Sequence, residues 1–168
     1  MNQTNNGNQE SLTEEQKVDA ALEKYELSIG LTPIPSDKDF PCIKYLYLSQ
    51  EELSRMTSEQ CSEACVLLNN FSFHLTRIIN KEKTKIRWCN ERILKTVANN
   101  LSDYRYFSPD ERMALSIRDN DYAQKIKKLA NLIQARIDRI EYLPIRIEKV
   151  AESLLNLSFA KRKNHDAR

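Results

Sequence analysis

Five cations and one indole recur along a single stretch of this 168-residue chain: Arg77, Lys81, Lys85, Trp88, Arg92 and Lys95. Turning each residue by 100° gathers them into one sector of roughly 80° on a helix. That combination can do one kind of chemistry. Cations replace the counterions condensed on a phosphate backbone, while an aromatic ring stacks on an unpaired base. The same pattern also serves as an ordinary solvated helix surface, and Trp88 could instead pack against a neighbouring subunit.

The element that positions these residues is a long helix expected over Thr57 to Val97. Thr57-Ser-Glu-Gln60 spells a capping box at its start. No Gly or Pro follows until Pro109, and Leu68, Phe71, Leu75, Ile79, Ile86, Cys89, Ile93 and Val97 return on one apolar side. Forty residues span about 60 Å at 1.5 Å per residue, so other long helices must supply the covering surface.

The second long element runs from Asp119 or Asn120, with Ile126, Ile133, Ile137, Ile140, Ile147 and Leu154 at coiled-coil spacing. Leu129, Leu132, Leu143, Val150 and Leu157 broaden this side beyond what one neighbour needs, which implies oligomerisation through the seam. Pro144 interrupts it and should kink or split the helix near Tyr142 to Leu143. Ser108-Pro-Asp-Glu111 combines a cap with a first-turn proline and starts a helix between the two. Tyr104, Tyr106 and Phe107 fall in the preceding connection, where they can stack on bases or plug the end of a core.

The first third of the chain reads differently. Residues 1–10 are Asn- and Gln-rich and expected to be disordered. Ser11-Leu-Thr-Glu14 spells a capping box for an acidic amphipathic arm over 11–29, with Val18, Leu22, Tyr25 and Ile29 on its apolar side. Residues 30–48 form a proline-bearing linker, with Ile43 to Leu48 expected as an extended piece. The helical domain then occupies 49–165, opening on a brief helix capped at Ser49-Gln-Glu-Glu52 and ending in a basic tail, Lys161-Arg-Lys163, expected to fray. Residues 1–63 carry five Lys and Arg against twelve Asp and Glu, net −7; residues 64–168 carry 21 against 12, net +9. An acidic arm before a basic body suits a protein that faces a polyanion, and it also arises in helical proteins that pair end to end.

Composition narrows the classes. With Gly30 as the last of two glycines, neither a P-loop nor a dinucleotide fingerprint fits in the body. Cys42, Cys61, Cys65 and Cys89 make no C-x-x-C pair, and His74 and His165 are the only histidines. No metal or cofactor site is expected, and the thiols read as small buried apolar groups in a reducing compartment. Glu51-Glu52 and Asp119–Asp121 sit at helix starts, where charge answers the macrodipole, and no nucleophile motif is present. The expectation is therefore a non-enzymatic, all-α, long-helix coiled coil or bundle. Without a run of about 18 apolar residues or a secretory leader, it is expected in the cytoplasm and away from membranes.

Phe107-Ser-Pro-Asp-Glu-Arg112, Leu115-Ser, Asp119-Asn-Asp121 and Ser158-Phe-Ala-Lys161 together resemble the skeleton of phage recombination-mediator proteins, over about residues 64–163. The charged helix from Asn80 to Lys95 is similar to the basic helix that precedes an aromatic turn in that family. The chain departs from the family at Leu157-Ser158, where an Arg-Gly pair is usual, and at Glu141 to Glu148, which looks inserted. The resemblance implies a small helical protein that forms rings and binds single-stranded DNA. It would help load a strand-exchange recombinase while displacing a single-strand-binding protein. The competing expectation is a helical assembly protein or chaperone that acts only through protein–protein contacts.

Overall fold

The computed structural model describes residues 12–31 and 41–166. The expected disordered tail lies outside these residues, as do Ser11 and residues 32–40 of the linker. Every regular element among them is helical. The chain divides into two compact units, the first holding α1 (Glu14–Ser28) and the second everything from Pro41 onward.

In the first unit the capping box is Thr13 with Gln16, two residues later than the Ser11-to-Glu14 spelling suggests. Thr13 Oγ1 accepts from the Gln16 N–H while Gln16 Oε1 accepts from the Thr13 N–H, at 3.2 and 2.8 Å. Glu14 and Glu15 then occupy the first turn, where the exposed N–H groups favour negative charge. The helix gives way after Ile29 to Gly30, whose φ of 82° suits a residue without Cβ.

The second unit is built on α3 (Ser58–Val97), a 40-residue helix whose Thr57–Gln60 capping box forms as expected. Before it come a 3-10 turn (Pro41–Tyr47) and α2 (Gln50–Arg55), the latter capped by Ser49 and Glu52. The turn corrects the expected extended piece: it curls so that Cys42 enters the core beside Ala64 and Cys65. After α3 a second 3-10 turn (Ala98–Tyr104) leads to α4 (Pro109–Arg118), opened by the Ser108–Glu111 box. The Asn120 side chain then accepts from the Ala123 N–H at 2.9 Å and starts α5 (Asp121–Ile140).

Pro144 splits rather than kinks the last helix. Lacking an N–H, it cannot continue the ladder onto Ile140, so α5 ends there and α6 (Leu143–Asp166) begins beyond a two-residue turn. Both pack antiparallel to α3. The pairing runs Ser58 with Ser158, Ser72 with Glu148, Lys83 with Glu141 and Arg92 with Tyr122.

Two hydrophobic clusters hold this hairpin together. Ala64, Cys65 and Leu68 of α3 meet Ile147, Ala151 and Leu154 of α6; Cys89 and Ile93 meet Ile126, Ala130, Ile133 and Ile137 of α5. Each fully buried Leu or Ile contributes about 1.5–3 kcal/mol relative to exposure. This packing corrects the reading of the seam as an oligomerisation surface. Ile126, Ile133, Ile137, Ile147 and Leu154 are buried within one chain, and only Ile140 is partly exposed. The broken helix folds back on α3, and α3 supplies the apolar partner.

The end of α6 is also tied down rather than frayed. Lys161 donates to the carbonyls of Leu53, Ser54 and Met56, closing the C-terminus of α2. Arg162 donates 2.7 Å to Ser58 Oγ at the start of α3. No helix among the described residues is long and apolar enough to cross a membrane.

Candidate nucleic-acid interface

The six residues singled out on α3 do not share one environment. Arg92 and Lys95 are exposed, Lys81 is half-buried, and Arg77 and Lys85 are buried. Trp88 is half-buried and packs beside the cluster of Cys89, Ile93, Ile126 and Ile133. The expectation that all five cations line a solvent face therefore needs correction for Arg77 and Lys85.

The cause is helical drift. Residues seven apart fall about 20° short of two full turns, so the series Cys61, Leu68, Leu75, Glu82, Cys89 walks round α3 by roughly 80°. It passes from the side facing α6 to the side facing α5, and carries Glu82 into the packed surface. Lys85, one turn further on, follows. Its Nζ lies 2.6 Å from Glu82 Oε1, and the other Glu82 oxygen lies 3.1 Å from Arg136 Nε of α5. Arg77 sits with its guanidinium 6.0 Å from the Phe73 ring centroid. Beside it burial, reinforced by the Arg77 charge, holds His74 below the usual histidine range and so neutral near pH 7.

The groups suited to stacking lie instead where the C-terminal part of α3 meets the start of α5. Arg92 lies 5.8 Å from the Tyr122 ring centroid, and its Nε donates 3.2 Å to the Tyr122 hydroxyl. In the connection, Arg105 lies 4.8 Å from the Tyr106 ring centroid and donates 2.7 Å to its hydroxyl. Tyr106 is 83% exposed and Phe107 49%, so these two do not plug the core. Only Tyr104 is partly covered; it meets Phe107 edge to face at 6.3 Å.

Tyr104 also joins the connection to the α4–α5 junction. Its hydroxyl donates to the Asp119 carboxylate, which accepts from Arg118 Nε at 2.7 Å. The Arg118 hydrogen bond, and then that of Tyr104, hold the Asp119 carboxyl below its ordinary range, and the shared proton pushes the Tyr104 phenol up. Asp119 lies three residues before Tyr122, so this link brings the two Arg–Tyr pairs to one end of the hairpin.

Comparison with known protein families, curated proteins and solved structures finds no match.

Tyr122 and Arg105 do not lie on the α3 wheel, so its periodicity does not point to them; the available signal is that Tyr106 and Tyr122 each sit within a few residues of a helix start in a cation-rich segment. Among the described residues no three His, Cys, Asp or Glu side chains are grouped to hold a metal ion. A planar guanidinium beside a tyrosine ring offers a flat cationic surface that can accept a base on its face and a phosphate at its edge.

Proposed function

We propose that this chain is a non-enzymatic accessory protein that binds single-stranded nucleic acid, in the manner of a recombination mediator that helps load a strand-exchange recombinase. The observation that carries the reading is the pair of arginine-backed tyrosines, Arg105–Tyr106 and Arg92–Tyr122, at one end of the hairpin. Lys95 and Lys81 add charge along α3. Cations track the phosphates, the rings stack bases, and binding rather than turnover is the work done. A recombinase or single-strand-binding protein is the proposed protein partner, and self-association that multiplies a weak site would use residues outside the buried seam.

The test is fluorescence anisotropy of a labelled oligothymidine strand over a series of salt concentrations. Neutralising four phosphates gives a log–log salt slope of about −2.8. Tyr106→Ala and Tyr122→Ala each remove about 1–3 kcal/mol of stacking without changing that slope, whereas Lys95→Ala makes it shallower. A folded protein that binds no strand at low salt overturns the proposal and leaves assembly through protein contacts as its function.

A further inference from the structure

A groove of about 450 Å³ opens between α3 and α5, away from the arginine–tyrosine pairs. Its cations, Lys83 and Arg87, lie at least about 140° around α3 from Arg92. Ile86, with the buried Ile137 beneath it, gives it an apolar floor, and Asn80 and Gln134 bring side-chain amides to its rim, the latter donating 2.7 Å to Asp138 Oδ1. Lys83 is engaged by Glu141, Nζ to Oε1 at 2.6 Å. Arg87 donates to Thr84 Oγ1 at 3.3 Å, a long bond that occupies one of the guanidinium's five donors.

This set of groups is matched to one ligand class. Inorganic phosphate would use the cations and leave Ile86 idle; an apolar ligand would strand two charges; an acidic peptide offers no flat face with a hydrogen-bonding edge. A nucleotide has all three parts, and the volume lies within the range of small-molecule sites.

We propose that the groove holds one nucleotide unit, its phosphate on Arg87 and Lys83 and its base over Ile86, with the base edge against Asn80 and Gln134. As a second contact for a bound strand it rests on the single-strand reading above; as a nucleotide site it stands on the groove alone. Glu141 is its internal competitor. An incoming phosphate must take Lys83 from this carboxylate, so the groove is weakened by design of its own lining and strengthened when that charge is removed.

The experiment titrates thymidine 5′-monophosphate into the full ¹⁵N-labelled chain and follows the side-chain amides of Asn80 and Gln134 by NMR, with strand anisotropy in parallel. Both amides shift in the wild type. Arg87→Ala weakens the mononucleotide about tenfold, the scale of one charged hydrogen bond. Glu141→Gln keeps the side chain's shape and tightens binding several-fold, a gain that misfolding cannot mimic. Amides that stay still at saturating nucleotide, or a Glu141→Gln variant that binds no better, overturn the groove assignment even where the strand still binds. Loss of strand binding with the amides still shifting overturns the single-strand reading and leaves the nucleotide site standing.

Discussion

Lys85 and Glu82 form an ion pair one turn apart on α3, 2.6 Å between Nζ and Oε1, with both side chains about nine-tenths covered. A lysine so placed belongs to the packing between helices rather than to a phosphate-tracking surface. A double-mutant cycle of Lys85→Met and Glu82→Gln, read by urea denaturation, should give a coupling energy of about 1–3 kcal/mol, the range for contacting polar groups. Lys85→Met should leave the salt slope of strand binding unchanged. A coupling near zero, or a shallower slope, would return Lys85 to the set of surface cations.

The same packing predicts what the isoleucine seam does. Ile133 is fully buried against the Cys89–Ile93 cluster, and Leu154 against Ala64 and Leu68, all within one chain. Ile133→Ala and Leu154→Ala should each cost about 2–5 kcal/mol in denaturant unfolding. Because the lost neighbours are intramolecular, the loss should not vary with protein concentration. A loss that fades on dilution would mean that the seam is shared between subunits.

Much of this architecture is written locally. Thr57–Gln60, Ser49–Glu52 and Ser108–Glu111 mark helix starts because a cap is decided by residues three apart, and all three form. The missing N–H of Pro144 likewise breaks α5 from α6 at a place visible in the chain. What sequence could not supply was the partner. The isoleucine seam reads equally well as an interface between copies or as one side of a hairpin, and α3 decides it only in three dimensions. The burial of Lys85 follows from about 20° of drift per heptad accumulated along α3, too small to see in any single turn. Tyr122 meets its partner Arg92 from thirty residues away. The 3-10 turn at Pro41–Tyr47 was hidden for a similar reason: Cys42 is drawn inward by Ala64 and Cys65, not by its neighbours in sequence.

The four thiols offer a test of how closed the hairpin is. Cys42, Cys61, Cys65 and Cys89 are all buried, and none is in a disulfide. Burial pushes the Cys42 and Cys61 thiols above their ordinary value, with Lys161 partly opposing this at Cys61. At pH 8 the folded protein should therefore react with Ellman's reagent at none of the four, and all four should react in concentrated guanidinium chloride. Slow labelling in native buffer would then report local opening. Rapid labelling of Cys42 alone would show that the Pro41–Tyr47 turn lifts from α3 without global unfolding.

Asp119 sets the acid limit of the end that carries the arginine–tyrosine pairs. Its carboxylate accepts from Arg118 and from Tyr104, and these bonds hold it below the ordinary value of about 3.9. A carboxyl with a lowered folded value binds fewer protons in the folded than in the unfolded state through that window. The stability it contributes is complete above about pH 3.9 and lost as pH falls through the lowered value. A ¹³C titration of the Asp119 carboxyl should have its midpoint below about 3.9. Arg118→Ala should raise that midpoint more than Tyr104→Phe, since the Arg118 hydrogen bond is the larger cause. Because Tyr104 meets Phe107 edge to face, protonating Asp119 should also broaden the Phe107 ring signals as the connection loosens. An unshifted midpoint would mean that the Tyr104–Asp119–Arg118 link does not persist in solution, and Tyr106 would then not be held at the same end as Tyr122.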